Sequence, residues 1–418
     1  MFTTYTEVLD WLLNVPALTQ GQALRNLQYL RTLIQQPLWQ PKCPIITITG
    51  TNGKGSTVQT LSAIFTQAGY YVGCFTSPHL QIFNERIAIN ERAISDADFV
   101  LAAQAVADLP NVPQHFFSLL LLMALWHFKR QAVDIIFLEV GLGGRLDPCN
   151  ALDATLVGIT SIDLDHTHLL GDTREQIAYE KACLMRPKKR CVVGDRDVPK
   201  AISAYAANIK APLQCLGLDF DCFSIDQTTF LWHGSQWCLN DLPQPRVKLS
   251  NLAVALAIVE AMQACLPVPV AAIKRALAQL IIPGRYQKSI YQGQTLLLDV
   301  AHNPAAIQYL LRQIQKDFPK KPIHLIFAMM QDKDWRTCFE LLSTLKVKQA
   351  YFPRIEDPRA LDNAALEQEA QEKPFVSNSY PTIKAALAMA VNNAIEEQDL
   401  IVVTGSFRVV GGVLNLLK

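Results

Sequence analysis

The sequence predicts an α/β fold with a large N-terminal and a smaller C-terminal domain. Short apolar runs rich in β-branched residues alternate with helical patterns, as in parallel sheets covered by helices. Most runs are apolar along their whole length, which is typical of strands buried on both faces. Pro283 and Gly284 interrupt this alternation, and a second series of strands and helices begins after them. We therefore predict domains at residues 1–285 and 286–418.

The apolar runs and the helical periodicity place the elements in order. In the first domain, strands are predicted at 45–49, 71–76, 135–140, 155–162 and 190–193. Helices are predicted at 57–68, 97–107, 116–129, 174–185 and 251–265, with a hairpin region at 220–240. In the second domain, strands are predicted at 295–300, 323–327, 350–352 and 400–403, with helices between them.

The composition excludes several classes of protein. Lys and Arg total 38 against 37 for Asp and Glu, so the basic excess of a nucleic-acid binder is missing. The apolar stretch 116–126 has 11 residues where a bilayer requires ~20, which predicts a buried helix and no membrane partner. The N-terminus lacks the pattern of a signal peptide, and none of the ten cysteines forms a CxxC pair. These features predict a cytoplasmic protein with reduced thiols.

A glycine-rich segment, GTNGKGS at residues 50–56, follows the first predicted strand. A strand, a glycine loop and a helix form phosphate sites because backbone N–H groups can approach the anion and the helix N-terminus favours it. Lys54 supplies a positive charge, and the hydroxyl of Ser56 or Thr57 could reach Mg²⁺ or phosphate. The strict GxxxxGK[ST] pattern is not met, because Gly55 separates the lysine from the serine. We predict a phosphate loop, the alternative being an ordinary glycine turn.

Polar residues follow other strands of the same domain. Glu139 ends one strand and leads into the glycine-rich segment 141–147, a placement that suits a magnesium ligand beside a closely wrapped substrate. The alternative for this segment is a solvated loop. His166 follows the next strand, although a lone histidine is more often structural. Lys181 lies on a predicted helix and, without other context, is a surface lysine.

The second domain repeats this arrangement. The strand 295–300 ends in a cluster of Asp299, His302 and Asn303, and Pro304 then occupies the first turn of a predicted helix. Asn303 could simply cap that helix. The aspartate and the histidine beside it indicate a ligand-facing edge.

Together these segments resemble the folylpolyglutamate synthase and dihydrofolate synthase family, within the Mur ligase group. The matching stretches are GTNGKGS (50–56), TSPHL (76–80), NERI (84–87), LEVGLGGRLD (138–147), LDHT (164–167), EKA (180–182), PGRYQ (283–287), DVAHNP (299–304) and GSF (405–407). They occur in the family's order over nearly the whole chain. The resemblance implies a large P-loop ATPase domain with a mostly parallel central sheet, then a smaller Rossmann-like domain, with substrates in the cleft between them.

The resemblance also implies a role for each matching position. Nucleotide-contacting positions would be Asn52, Gly53, Lys54, Gly55, Ser56, Asn251, Arg285 and Asp299. Metal ligands would be Ser77, Glu139, His166 and Lys181, the last as a carbamylated lysine that helps position a second Mg²⁺. Catalytic positions would be Lys54, Lys181 and His302, with His302 near the γ-phosphate and the incoming glutamate. The pteroate or folate would contact His115, Phe116, Phe117, Ser118, Arg145 and Asp147. The implied cofactors are ATP and Mg²⁺ at two sites, and the resemblance allows a K⁺ requirement.

The implied activity is the ATP-dependent addition of L-glutamate to dihydropteroate and to reduced folate mono- and polyglutamates, through an acyl phosphate. No exposed apolar seam stands out in the sequence, which predicts a monomer. Two departures bear on the substrate. Many bacterial members read TxFE where this chain has HFFS at 115–118, and RLDATN becomes RLDPCN at 145–150. An enzyme that only extends the glutamate tail therefore stays open.

Three other functions are disfavoured. A Mur-type ligase acting on a nucleotide-linked cell-wall precursor usually carries a separate N-terminal domain, and only 44 residues precede the first predicted strand. A non-catalytic nucleotide switch would not require Glu139, His166, Lys181 and Asp299 together. A simple P-loop kinase does not account for the second domain.

Overall fold

The computed structural model describes residues 2–16 and 19–418, which form two compact units. The first contains the residues up to His79 together with Phe83–Leu280. The second contains Leu80–Ile82 and Ile281–Lys418. The division therefore falls just before the Pro-Gly pair at which the sequence predicts a boundary.

The first unit contains two sheets. The strands of the larger one are β1 (Ile45–Thr49), β2 (Val72–Phe75), β3 (Ile87–Ile89), β4 (Arg92–Ala93), β5 (Ile135–Glu139), β6 (Leu156–Ile159), β7 (Cys191–Val193) and β8 (Leu213–Cys215). They lie in the order β4-β3-β2-β5-β1-β6-β7-β8. The pairs β2 with β3 and β3 with β4 are antiparallel, and all other pairs are parallel. The predicted mostly parallel central sheet is thus confirmed. A separate antiparallel sheet of β9 (Asp221–Ser224), β10 (Thr229–His233) and β11 (Cys238–Pro243) confirms the predicted hairpin region.

Helices cover both faces of the large sheet. They are α1 (Tyr5–Leu13), α2 (Gln20–Ile34), α3 (Lys54–Gln67), α4 (Asp96–Ala107), α5 (Phe116–Arg130), α6 (Thr167–Leu170), α7 (Arg174–Ala182), α8 (Lys200–Ile209), α9 (Leu249–Met262) and α10 (Val270–Gln279). Short 3₁₀ turns lie at Phe83–Arg86 and Pro148–Ala151. No helix in the described part of the chain is long and apolar enough to cross a bilayer.

Alternate residues of a central strand enter two different hydrophobic clusters. Ile136 and Leu138 of β5 pack in the cluster that contains the buried face of α5. Ile135 and Phe137 point the other way, into the cluster formed with α3 and α9. Burial on both faces explains why this strand is apolar at successive positions and was recognisable in the sequence.

The second unit is a six-stranded sheet with helices. Its strands are β12 (Gln287–Tyr291), β13 (Gln294–Leu298), β14 (Ile323–Phe327), β15 (Val347–Pro353), β16 (Val376–Tyr380) and β17 (Leu400–Thr404). Its helices are α11 (Pro304–Asp317), α12 (Trp335–Ser343), α13 (Asn363–Ala370), α14 (Ile383–Asn393) and α15 (Phe407–Leu416). The order is β12-β13-β17-β14-β15-β16, and all pairs except β12 with β13 are parallel. The four predicted strands are confirmed, whereas β12 and β16 lie at the edges and lack a fully apolar run.

Residues 80–82 pack against the C-terminal helix of the second unit. The Leu80 carbonyl lies so close to Gly411 that a Cβ atom there would collide with it. The Gln81 side-chain amide donates to Asn415 at 2.9 Å. This contact could not be predicted from the sequence, because it joins residues separated by more than three hundred positions.

A buried polar network lies inside the second unit. His324 is 1% exposed, and its ring bonds Tyr351 Oη at 2.8 Å through Nδ1 and Asp399 Oδ2 at 3.1 Å through Nε2. Lys348 Nζ also donates to Asp399, at 3.1 Å. Burial lowers the pKa of His324, against the raising effect of Asp399. The folded chain therefore resists taking up a proton at this ring.

We expect this unit to lose stability as the pH falls below about 6.5, the ordinary pKa of histidine, because the unfolded chain then binds a proton that the folded ring excludes. The loss should level off below the lowered folded pKa. Calorimetric unfolding at pH about 7.5 and about 5.5 checks this. A His324→Gln variant should show a smaller difference between the two pH values, and an equal difference would contradict the assignment.

Candidate active site

The predicted phosphate loop connects β1 to α3. Gly53 caps the helix with a φ of 91°, a left-handed conformation that glycine adopts without strain. A Cβ atom there would collide with the carboxamide of Asn251, which lies in the first turn of α9. No side chain among the described residues caps the N-terminus of α3, so its first N–H groups point to where an anion can bind. Ser56 is buried in this first turn. This geometry supports a phosphate loop rather than an ordinary glycine turn.

The residues that follow β6 hold the loop in place. Thr51 N donates to Ser161 O at 2.6 Å, and Thr160 Oγ1 donates to Asn52 O at 2.7 Å. β6 is the immediate neighbour of β1 in the sheet. The loop is therefore supported by a strand that the chain reaches only a hundred residues later.

Two lysines meet at one backbone carbonyl. Lys54 Nζ donates to Gly50 O at 3.0 Å and to Thr51 O at 3.2 Å, and Lys181 Nζ donates to the same Gly50 O at 3.1 Å. Lys181 is only 3% exposed, so its interpretation as a surface lysine is wrong. Burial, followed by the nearby Lys54 charge, lowers the pKa of Lys181 to about 7. A substantial fraction of this amine is therefore neutral near neutral pH.

Two of the residues proposed as metal ligands, Ser77 and Glu139, lie at the carboxyl ends of neighbouring strands. β5 pairs with both β1 and β2, which brings Glu139 beside the phosphate loop and beside Ser77. Glu139 is 5% exposed and accepts a bond from Ser77 N at 3.0 Å. Its carboxylate would lie 3.4 Å from a Cβ atom at Gly55. A buried carboxylate beside a phosphate loop fits Mg²⁺, which prefers a few protein oxygens together with phosphate oxygens.

His166 stands at the start of α6 in a left-handed conformation, with φ at 50°. Its backbone N–H donates to Asp165 Oδ1 at 2.8 Å, and Asp165 also interacts with Lys181. Within residues 2–16 and 19–418, no three His, Cys, Asp or Glu side chains form a metal cluster. The predicted set has only two such residues, so serine and phosphate oxygens would have to complete it. The assignment of this set remains a prediction.

The glycine-rich segment after β5 is shaped by Asp147. One oxygen of its carboxylate accepts from Gly141 N at 3.0 Å and Leu142 N at 3.1 Å, and the other from Cys149 N at 2.9 Å. Burial raises the pKa of Asp147, against these hydrogen bonds. The observed contacts make Asp147 the residue that holds the backbone of this segment. Its contact with substrate remains a prediction.

Arg145 forms an ion pair with the residue beside Lys181. Its Nε lies 2.8 Å from Glu180 Oε1, and the Arg145 side chain is 42% exposed. The guanidinium is thus accessible to a ligand and anchored at one nitrogen.

The segment 115–118 begins α5. The Phe117 ring lies against Gly141, where a Cβ atom would be 2.9 Å from the ring, and against Phe75 at the end of β2, with 5.0 Å between ring centroids. The Phe116 ring packs instead on Phe83, with a centroid distance of 6.0 Å. Phe117 is therefore the aromatic ring of the segment that reaches the carboxyl edge of the sheet.

The second unit has its own polar cluster at the end of β13. Asp299 accepts from Tyr286 N and Ala301 N, both at 2.8 Å. Burial raises the pKa of Asp299, and the Arg285 charge opposes this shift. The guanidinium of Arg285 lies 5.2 Å from the Phe407 ring, and the His302 ring lies 5.8 Å from it. Phe407 thus brings the predicted nucleotide and catalytic positions of this unit together, a role the sequence did not predict.

Asn303 caps α11 through its side-chain oxygen, which accepts from Ala306 N at 2.9 Å. The alternative reading of this residue as a helix cap is thus confirmed. Three further residues were not predicted: Thr160 and Asp165 near the phosphate loop, and Asn26 of α2, whose amide contacts Ser118. Thr160 and Asp165 belong to the polar run after β6. No local signal distinguishes Asn26.

Two family models match the chain. The Mur ligase middle domain matches residues 48–221, and the Mur ligase glutamate ligase domain matches residues 284–407. These ranges contain the phosphate loop and the cluster after β13.

Relatives match most of the chain. It is 34% identical over 375 residues to the dihydrofolate synthase/folylpolyglutamate synthase of Escherichia coli, covering 89% of this chain and 86% of that protein. It is 30% identical over 434 residues to the folylpolyglutamate synthase of Lacticaseibacillus casei, covering 99% and 98%.

Solved structures of related enzymes also align with nearly the whole chain. The E. coli FolC structure in complex with DHPP and ADP aligns with a TM-score of 0.92 at 31% identity, covering 99% of this chain and 97% of that one. The Yersinia pestis bifunctional enzyme complexed with AMPPNP and Mn aligns with a TM-score of 0.90 at 33% identity, covering 99% and 98%. The chain therefore belongs to the dihydrofolate synthase/folylpolyglutamate synthase family of Mur-type ATP-dependent ligases.

Proposed function

We propose that this enzyme adds L-glutamate to dihydropteroate and to reduced folate mono- and polyglutamates, with ATP as the energy source. The observation that carries this proposal is the similarity over the whole chain to an enzyme solved with DHPP and ADP. A related structure holds Mn, AMPPNP and L-glutamate, at 33% identity and a TM-score of 0.89. Lys54 and the N–H groups at the start of α3 are suited to binding the phosphates of ATP.

The reaction requires that a carboxylate become a good acylating group. Phosphoryl transfer from ATP to the carboxylate oxygen makes an acyl phosphate, and the glutamate amine then displaces phosphate through a tetrahedral intermediate to form the amide. Lys54 and the N–H groups at the start of α3 would hold the β- and γ-phosphates. Ser77, Glu139 and His166 would hold Mg²⁺, which neutralises the charge that develops on the transferring phosphoryl group.

Lys181 fits the role of a carbamylated lysine. Carbon dioxide reacts with a neutral amine, and burial together with the Lys54 charge lowers the Lys181 pKa to about 7. Addition of carbon dioxide to the neutral amine releases a proton and leaves an anionic carbamate, which the Lys54 charge would stabilise and whose oxygens could help position a second Mg²⁺. This step rests on the pKa shift and on the burial of the side chain.

Glutamate-dependent ADP release with Mg-ATP tests the proposal, with dihydropteroate and a reduced folate monoglutamate compared as acceptors. Turnover with both establishes a bifunctional enzyme. Turnover with the folate alone would make it a tail-extending synthase, the second candidate, which the HFFS and RLDPCN departures favour. ATP binding without turnover on either acceptor would contradict the proposal. Repeating the assay with Na⁺ in place of K⁺ tests the potassium requirement.

We expect Phe117→Ala to raise the KM for the pteroate or folate substrate about tenfold, because the ring at the sheet edge is available to stack on a pterin. The KM for ATP should stay unchanged, since the substitution lies outside the phosphate loop. Steady-state kinetics with each substrate varied in turn check this. An equal rise in both KM values would indicate a general loss of structure instead.

We also propose that the enzyme is a cytoplasmic monomer. None of its ten cysteines, which all lie in the described part of the chain, forms a disulfide, and this suits a reducing compartment. Light scattering on the purified protein should report a mass near 46.6 kDa. A mass near twice that value would show a dimer.

A further inference from the structure

Ser118 connects two helices at the predicted pteroate site. It lies in the first turn of α5 and is 0% exposed. Asn26 Nδ2 of α2 donates to its hydroxyl oxygen at 2.7 Å, and His115 Nδ1 lies 2.9 Å from the same oxygen. Asn26 and His115 are each half-buried. The three side chains therefore form a chain of hydrogen bonds from α2 to the residue that precedes the two phenylalanines.

The direction of these bonds follows from the donors. An amide nitrogen only donates, so the Ser118 oxygen accepts from Asn26 and its own proton must go elsewhere. A buried hydroxyl proton without an acceptor is costly, and His115 Nδ1 is within hydrogen-bonding distance. Nδ1 must then be unprotonated, which leaves the ring proton on Nε2. Burial also lowers the pKa of His115, which disfavours the charged ring.

We propose that Asn26, acting through Ser118, is a positioning residue that holds His115 as a neutral ring with its proton on Nε2, and that this donor selects a substrate with a hydrogen-bond acceptor on its ring system. The inference rests on the proposed function, in which the segment 115–118 contacts the pteroate. A pterin offers carbonyl and ring-nitrogen acceptors. A histidine free to change its protonation would recognise donors and acceptors alike.

Asn26→Asp is the sharpest test because the two side chains are nearly isosteric and the substitution reverses the direction of the hydrogen bond between residue 26 and Ser118. A carboxylate only accepts, so the Ser118 proton turns to residue 26, and His115 must carry a proton on Nδ1 to keep its own bond. NMR of isotope-labelled histidine rings, with the His115 signal assigned from a His115→Gln variant, reports the tautomer without substrate. We expect the signal to change from the neutral Nε2–H tautomer to the neutral Nδ1–H tautomer, in which Nε2 no longer donates. The KM for the pteroate or folate should rise about tenfold, with the KM for ATP unchanged.

Two comparisons make the test decisive. Asn240→Asp adds the same charge at an exposed position on β11 and should change neither the His115 signal nor the KM. Ser118→Ala removes the hydroxyl, so the His115 ring should no longer be held in the Nε2–H tautomer. This variant keeps the test available if Asn26→Asp does not fold. An unchanged His115 signal in a folded variant overturns the proposal, as does a changed signal with an unchanged KM. Failure of the proposed function would appear separately, as wild-type protein without turnover.

Discussion

Lys54→Ala should lower turnover by about three orders of magnitude, because preorganised charge at a transferring phosphoryl group is among the largest single contributions to catalysis. The Lys54 ammonium lies at the start of α3 and contacts the carbonyls of Gly50 and Thr51 in the phosphate loop. Its removal takes away the point charge but leaves the glycine loop and the helix N-terminus. We therefore expect weaker ATP binding together with the loss of turnover, both measurable by ADP release and by calorimetric titration of ATP.

A matched control for this variant is Lys200→Ala. Lys200 is also the first residue of a helix, α8, but it is exposed and lies outside the phosphate loop. It should retain wild-type activity. Near-normal activity of the Lys54→Ala variant would remove the basis for assigning residues 50–56 to the nucleotide.

Lys181→Ala should lower turnover by about a hundredfold or more, because it removes the side chain that would form the carbamate. Lys181 is buried and bonds the loop carbonyl of Gly50. An alanine leaves a cavity about the size of a short carboxylic acid at this position. Added acetate or propionate should therefore restore part of the activity by supplying the missing oxygens, with saturation as the concentration rises.

The pH dependence and two further variants separate a carbamate from a plain ammonium. Removing carbon dioxide from the buffer should lower wild-type activity, and more so at acidic pH, where protonation of an amine with a pKa of about 7 blocks the reaction. Lys181→Arg keeps a positive charge but cannot be carbamylated, so it should stay inactive. Lys189→Ala, exposed and a few residues further along, should behave as wild type. Full activity of Lys181→Arg would show that only the charge matters.

Most of the parallel core was predictable from the sequence. β1 and β14 have the predicted bounds, and β5 and β17 differ from theirs by one residue. Such strands are buried on both faces, so they are apolar at successive positions and can be recognised from their local composition. The edge strands β12 and β16 were missed because half of their side chains face solvent. The helices α1 and α2 were also missed, although capping boxes at Thr4 and Thr19 mark their starts.

The candidate site was predictable only as a set of strand ends. Because parallel strands end at one edge, the loop after β1, Glu139 at the end of β5 and the polar segment after β6 were expected at the same edge of the sheet. Lys181 shows the limit of this reasoning. Its helix has a mixed polar pattern that fits a surface lysine equally well, and only packing against the phosphate loop buries it.

By itself the sequence determined the fold class and the family and predicted the phosphate loop, because each is encoded in contiguous residues whose composition or order is distinctive. Only the tertiary structure decided which polar groups share a hydrogen bond. In the folded chain the Asn26 amide donates to Ser118, and the Asp147 carboxylate accepts from backbone N–H groups of its own segment. The side chains of Arg285 and His302 lie close to the Phe407 ring. These contacts depend on distances of a few ångströms between side chains, and such distances are set by how helices and strands pack rather than by spacing along the chain.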